Sequence, residues 1–164
     1  MNYIIQASDA KPELLGGKAK ALADMDSANF PIPEWFVVSP DAFKASLGDE
    51  SHQKLTTTNT IHEVSQLLNT LYPNEETILA VSKKILAMNP NGESVAVRSS
   101  ASDEDGSEHS FAGQLDSYLF VSPTDVPDKI AAVWKSGYSE RVLAYRKENN
   151  LPLATTAPSV LIQK

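Results

Sequence analysis

The sequence of 164 residues contains no cysteine. Disulfide bonds, thiolate zinc sites and a cysteine nucleophile are therefore excluded. No hydrophobic run approaches the roughly 20 residues that a membrane-spanning helix requires. The first six residues lack the basic start and the small-residue cleavage site of a signal peptide. These absences make the reducing cytoplasm the expected compartment, with no membrane as a partner.

Basic residues are missing from one long stretch. Between Ser99 and Asp128 there are seven acids and neither Lys nor Arg, so this segment alone accounts for the net charge of −7. The acidity of the whole chain argues against a nucleic acid as a partner bound through bulk charge. A solvated acidic loop is the simplest interpretation. The run also follows directly on Arg98, so the alternative is a functional role beside that residue.

The pattern of apolar residues predicts a mixture of helices and strands without a regular βαβ repeat. A content of 41 % hydrophobic and 21 % charged residues is typical of a globular domain. Residues 48–60 have no clear period and are predicted to be a surface connection. The fold class expected is α/β, or α+β, with a mixed sheet flanked by helices. The predicted strands are 35–38, 94–98, 117–121 and 159–163. The predicted helices are 17–28, one from Pro40, a helical hairpin over 61–88, and a stretch that starts at 122–125, breaks at Gly137 and is ended by Leu151-Pro152.

Gly16-Gly17-Lys18 precedes a predicted helix. Glycines let a backbone approach a ligand closely, a helix N-terminus presents free N–H groups, and a lysine adds positive charge, so the segment suits a phosphate. It is not a Walker A loop, because Pro12 stands where the first glycine would fall and Ala19 replaces the Ser or Thr. A plain turn explains the same residues.

Arg98 ends a predicted buried strand and is followed by Ser99 and Ser100. A charged residue at the end of such a strand often points into a ligand crevice. The alternative is an ion pair with one of the acids at 103–105.

Ser110-Phe111-Ala112-Gly113-Gln114 combines small residues, a glycine and an aromatic residue just before a strand. Such a loop can place its amides over phosphates. An ordinary turn is the alternative.

Other candidates favour structural roles. His52, His62 and His109 lack metal-ligand spacing, so no metal site is predicted in this chain. Trp134 and Tyr138 lie at helical spacing and are predicted to belong to the core. Arg141 and Arg146, on the same helix, are predicted to make structural ion pairs, with phosphate contact as the alternative.

Four ordered segments resemble the nucleotide-binding region of the phosphoenolpyruvate synthase and pyruvate phosphate dikinase family, a domain that rifampin phosphotransferases share. They are residues 16–38, 95–105, 110–119 and 134–146. The resemblance covers nearly the whole chain in the right order, and only residues 47–92 match no motif.

The resemblance implies the first subdomain of an ATP-grasp site. Lys18 and Arg98 match residues that hold ATP phosphates, and Ser117 stands where threonine is usual. The loop of Ser110, Ala112, Gly113 and Gln114 matches one that closes over the phosphates. Ile162 and Gln163 match the hinge strand beside adenine. Ala19, by contrast, replaces a common glycine.

The family moves the ATP β-phosphate to a histidine on a separate domain and then to pyruvate or a similar acceptor. No histidine of this chain matches it, so no catalytic residue is predicted here. The second lobe, with its Mg²⁺ ligands, and the phosphohistidine domain are the expected partners. The chain is expected to be an N-terminal subdomain that ends at the hinge and is inactive alone. The alternative is a non-catalytic remnant that acts as a binding module. The acidic segment would favour Mg-ATP over free ATP, or face a basic partner domain.

Overall fold

The computed structural model describes residues 3–6, 12–100, 115–153 and 159–164, with only the backbone described for 12–14. Within these ranges five strands form one sheet, in the spatial order β1-β2-β5-β3-β4. The strands are β1 (Ile4–Gln6), β2 (Trp35–Val38), β3 (Val95–Ser100), β4 (Ser117–Val121) and β5 (Ser159–Gln163).

Helices occupy most of the remaining described chain. They are α1 (Pro12–Ser27), α2 (Pro40–Leu47), α3 (Asp49–Thr57), α4 (Ile61–Leu68), α5 (Glu75–Met88), α6 (Val126–Ser136) and α7 (Glu140–Glu148), with a 3-10 turn at Pro123–Asp125. The expected fold class, helices flanking a single sheet, is confirmed. No helix within the described ranges is long and apolar enough to cross a membrane.

The sheet differs from the expected mixed sheet, because the four pairings between its described strands are all antiparallel. The last strand, β5, lies between β2 and β3 and runs opposite to both. The helical connections are long enough to join neighbouring strands in either direction, so the hydrophobic pattern could not decide this point. The strand bounds predicted for β2, β4 and β5 are confirmed.

The prediction of an irregular connection over residues 48–60 is wrong, because α3 fills most of it. Asp49 and Glu50 lie in the first turn of this helix and Lys54 lies in its last turn. The helix dipole favours this arrangement of charge. Lys54 Nζ lies 2.7 Å from Glu50 Oε1, one turn away. Leu55 alone supplies the buried apolar contact, which explains why no helical period was visible.

The two helices predicted within residues 61–88 are present as α4 and α5. Each begins with a side-chain cap: Thr60 accepts from the amide of Glu63, and Asn74 accepts from the amide of Thr77. The predicted break at Gly137 is also confirmed, since it separates α6 from α7.

Two cores lie on opposite faces of the sheet. The larger includes α2, α5 and α6, and Trp134 at its centre is fully buried, with its ring 5.7 Å from that of Phe43 in an edge-to-face arrangement. The prediction that Trp134 belongs to the core is therefore confirmed. The smaller core joins α1 to the other face through Leu15, Ala19 and Leu22. Among the described residues, α1 packs on only part of that second face.

Candidate functional site

Arg98 and Ser117 lie directly opposite each other on β3 and β4. Directly opposed residues project from the same face of a sheet, and Leu161 of β5, which also pairs with Arg98, shows that this is the face that carries α1. Arg98 is half-buried and Ser117 is exposed. The open part of this face therefore presents a guanidinium group and a hydroxyl group side by side.

The backbone of α1 is interrupted at Gly16, whose φ of 68° and ψ of 172° are not helical. These dihedral angles fall in a region that is essentially restricted to glycine. The regular helix therefore starts again at Gly17 and Lys18, and its first amides have no partner within the helix. The residues predicted to form a phosphate-binding helix N-terminus do occupy a helix N-terminus.

Ser100 joins this helix N-terminus to the end of β3. Its Oγ accepts a hydrogen bond from the amide of Ala19 at 3.0 Å and donates one to the carbonyl of Leu15 at 2.6 Å. Ser100 and Ala19 are both buried, which makes both contacts costly to lose. Sequence analysis assigned Ser100 no role, because its partners lie 81 and 85 positions away.

Lys18 and Arg98 are brought to the same end of the sheet by these contacts. Ala19, the next residue after Lys18, contacts Ser100, and Ser100 lies two positions beyond Arg98 on the same face of β3. Two positions along a strand correspond to about 7 Å. A lysine, an arginine and a helix N-terminus thus lie at one edge of the α1 face, a combination that attracts an anion.

The predicted phosphate loop lies outside the described residues, so the positions of Ser110, Ala112, Gly113 and Gln114 stay predictions. The chain on either side of it is described. Ser99 donates its amide to the carbonyl of Asp116 at 3.2 Å, and the amide of Asp116 donates to Ser136 Oγ at 3.1 Å. The described residues on its two sides therefore lie at the end of the sheet that carries Lys18 and Arg98.

The two residues predicted beside adenine are separated by the alternation of β5. Gln163 is half-buried and pairs with Ala96, which places it on the same face as Arg98 but towards the opposite end of the sheet. Ile162 is fully buried in the larger core on the other face. A ligand on the α1 face would therefore meet Gln163 through its side chain and Ile162 only through the main chain.

Two exposed apolar residues continue this face along β4. Leu119 is 64 % exposed and Phe120 is 88 % exposed. The register between β3 and β4 shifts at this point, and Phe120 has a φ of 55°. An extra residue in an edge strand with one positive φ is typical of a β-bulge. Sequence analysis gave these two residues only strand positions.

Tyr118 lies on the other face of the same strand, against the larger core. Its hydroxyl group donates to Asp116 Oδ2 at 2.9 Å, and Lys129 Nζ lies 4.7 Å from the centre of its ring. Burial of the phenol, with the hydrogen bond to Asp116 as the second cause, raises the pKa of Tyr118 above its usual value.

Arg146 contacts the main chain just beyond the end of α7. It is buried on α7, and its Nε donates to the carbonyl of Pro152 at 2.7 Å. This hydrogen bond is structural, and the ion pairs expected for Arg141 and Arg146 stay predictions.

The described side chains that the candidate site brings together do not suit magnesium. The part of the chain that the structure describes holds no group of three or more His, Cys, Asp or Glu able to bind a metal ion. Lys18, Arg98 and Ser117 supply two cations and a hydroxyl, whereas Mg²⁺ is bound through carboxylates and phosphates. These residues are suited to the anionic phosphates themselves.

Known proteins match this chain over most of its length. Residues 12–164 match the model of the pyruvate phosphate dikinase, AMP/ATP-binding domain family. The chain is 33 % identical over 84 % of its length to the prodigiosin synthesizing transferase PigC of Serratia marcescens, and 32 % identical over 92 % to the phosphoenolpyruvate synthase of Aeropyrum pernix. It spans 15 % and 21 % of the lengths of these two relatives.

An uncharacterized phosphotransferase of Bacillus subtilis, YvkC, is 26 % identical over 99 % of the chain, which spans 19 % of that protein. The match to the family model extends from the first turn of α1 to the last residue and so includes Lys18, Arg98, Ser117 and Gln163. This chain therefore belongs to the family of pyruvate phosphate dikinase AMP/ATP-binding domains.

Proposed function

We propose that this chain is the first subdomain of the ATP-grasp site of a phosphotransferase related to phosphoenolpyruvate synthase, and that the open α1 face binds the ATP phosphates. The observation that carries the proposal is the meeting of three features at one end of that face. These are the helix N-terminus with Lys18, the guanidinium group of Arg98 and the hydroxyl group of Ser117.

The phosphates of ATP would lie against the end of β3. Lys18 and the first amides of the helix contact one side of the triphosphate, Arg98 binds it from the sheet, and Ser117 donates its hydroxyl group. Phosphoryl transfer needs positioning and charge neutralisation more than covalent chemistry by the protein, and these residues supply both. The loop of Ser110, Ala112, Gly113 and Gln114 is proposed to cover the phosphates from the same end.

The base would extend towards the opposite end of the face. Gln163 of β5 lies there on the α1 face. The exposed Leu119 of β4 offers the base an apolar contact. The distance along β3 from Ser100 to Ala96, the partner of Gln163, is about 13 Å for four positions. An extended nucleotide placed along the strands therefore has its phosphate and base ends at the two ends of the face.

The remaining steps require parts of a larger protein. We propose that a second lobe completes the cleft and supplies the Mg²⁺ ligands, and that the β-phosphate passes to a histidine on another domain and then to pyruvate or a similar acceptor. The names of the phosphoenolpyruvate synthase and phosphotransferase relatives support this assignment, and the chain spans only about a fifth of their lengths. The 164-residue chain by itself is expected to be inactive.

Titration of the chain with ATP, followed residue by residue in NMR spectra, tests the phosphate site. Because this chain supplies only one wall of the proposed cleft, we expect weak binding with a Kd on the order of 1 mM. ATP should shift the signals of Gly17, Lys18 and Ser117. Arg98→Ala and Lys18→Ala should each weaken binding about tenfold or more, since each removes a charge-assisted contact worth about 1.5–3 kcal/mol.

Lys83→Ala is the matched control, because Lys83 is an exposed lysine of α5, outside the proposed site. It removes the same charge and should leave the affinity for ATP unchanged. ATP shifts that persist in both Arg98→Ala and Lys18→Ala, or an equal loss in Lys83→Ala, would reject the proposed phosphate site. A non-catalytic binding module that retained this site would pass the test; its extended chain would show no ATP-dependent phosphorylation of a histidine.

A further inference from the structure

The hydroxyl group of Ser100 occupies the position of a missing helical hydrogen bond. In a continuous helix the amide of residue 19 would donate to the carbonyl of residue 15. Here that bond is replaced by two, from the Ala19 amide to Ser100 Oγ at 3.0 Å and from Ser100 Oγ to the Leu15 carbonyl at 2.6 Å. Insertion of a side chain into the helical ladder is a recognised cause of a kink, and this kink lies at Gly16.

We infer that Ser100 is a positioning residue that maintains this kink and thereby directs the helix N-terminus at Lys18 towards the anion bound by Arg98. The inference rests on the proposed function, because it deepens the description of the same phosphate site. Ser100 does not contact the anion in this arrangement; it acts through the helix.

The chemistry of serine suits this role. A hydroxyl group provides one donor and can accept at the same time, so it satisfies both an amide and a carbonyl. Ser100 is 1 % exposed and Leu15 and Ala19 are fully buried, so water is a poor substitute for the hydroxyl group. Without it, the amide of Ala19 and the carbonyl of Leu15 are free to approach each other, and Gly16 can become helical.

The consequence of that change falls on the phosphate site. If Gly16 became helical, the helix would continue through Leu15, and the amides of Gly17 and Lys18 would acquire helical partners. The helix N-terminus would then lie about one turn away from Arg98. Ser100 and Arg98 both belong to β3. The hydrogen bonds of Ser100 therefore attach the helix N-terminus to the same strand that carries Arg98.

The test compares Ser100→Ala with Ser46→Ala, a matched control. Ser46 Oγ also bridges two main-chain groups, accepting from the amide of Asn74 at 3.0 Å and donating to the carbonyl of Ala42 at 2.6 Å. It lies on α2, against the other face of the sheet. Each variant loses one accepted and one donated hydrogen bond, but only Ser100 contacts the helix that carries Lys18.

Two measurements are made on the 164-residue chain. Hydrogen exchange of the Gly17 amide reports whether the helix has become continuous through Gly16, and NMR titration with Mg-ATP and with inorganic tripolyphosphate reports the phosphate site. We expect Ser100→Ala to gain protection at Gly17, because this amide acquires a helical partner, and to bind both probes about tenfold more weakly, a change equal to 1.4 kcal/mol. Ser46→Ala should retain the wild-type affinity and the wild-type exchange at Gly17. Ser100→Thr, which keeps the hydroxyl group, should restore both properties.

Wild-type affinity in a folded Ser100→Ala chain, or an equal loss of affinity in Ser46→Ala, would overturn the inference. If the added methyl group of Ser100→Thr prevents folding, the comparison of the two alanine variants decides alone. A wild-type chain that binds neither probe would contradict the proposed function, whereas unchanged Gly17 exchange in Ser100→Ala would contradict the positioning role by itself.

Discussion

Arg98 and Ser117 form a directly opposed pair on β3 and β4, on the face of the sheet that α1 covers only in part. The pair lies at the end of the sheet where Ser100 holds the start of the regular α1 helix. A charged group and a hydroxyl group are thereby fixed next to a helix N-terminus by main-chain pairing.

Ser117 is expected to contribute its hydroxyl group to phosphate binding. Ser117→Thr keeps that group and should bind ATP as the wild type does. Ser117→Val has nearly the same shape as threonine but no hydroxyl group, and it should bind ATP about tenfold more weakly, in line with the loss of one hydrogen bond. NMR titration of both variants with ATP makes the comparison. Equal affinities would show that the hydroxyl group makes no contact with the phosphates.

Gly16→Ala is expected to destabilise the chain. The φ of 68° and ψ of 172° at this position place a Cβ in a strained conformation, at a cost of about 1–3 kcal/mol. Gly17→Ala is the control, because Gly17 has helical dihedral angles and alanine favours a helix. Urea unfolding should show a lower free energy of unfolding for Gly16→Ala only. A loss of similar size in both variants would argue against strain at Gly16.

Phe120→Asn is expected to stabilise the chain by about 0.5–1 kcal/mol. Phe120 has a positive φ and is 88 % exposed, so its ring gains little from burial while its backbone is strained. The other described non-glycine residues with positive φ, Asn29 and Asn150, are both asparagine. Leu119→Asn, one position earlier and without positive φ, should give no gain in denaturant unfolding. A lower stability for Phe120→Asn would contradict this prediction.

Tyr118 is expected to ionise at higher pH than an ordinary tyrosine. Burial and then the Asp116 hydrogen bond raise its pKa in the folded state, so the neutral phenol stabilises the fold. This contribution is complete below the unfolded pKa of about 10 and is lost as the pH rises through the folded pKa. NMR titration of the tyrosine rings measures the shift.

Asp116→Asn should lower the pKa of Tyr118 without abolishing the shift, since burial remains the larger cause. The pKa of Tyr3 is raised chiefly by a hydrogen bond to Glu76 and serves as the internal control, because it should not change. An unchanged pKa for Tyr118 in Asp116→Asn would show that the hydrogen bond has no influence on its ionisation.

Local sequence patterns predicted most of the elements. The run Trp35–Val38 has four consecutive buried residues, and the helices α4 and α5 follow an apolar period of 3.6 with capping residues before them. In α3, by contrast, one buried leucine in a polar segment gives no period, and the helix depends on tertiary packing.

The sequence by itself determined which residues are candidates for binding an anion, because Gly16, Lys18 and Arg98 are recognisable from their type and local setting. Only the tertiary structure decided how they meet. The insertion of β5 between β2 and β3, the pairing of Arg98 with Ser117 and the bridge from Ser100 to α1 join residues far apart in the chain. Local patterns carry no information about such contacts, since they depend on which strands pair and in which direction. The same reason explains why Ser100 had no predicted role and yet links the two halves of the site.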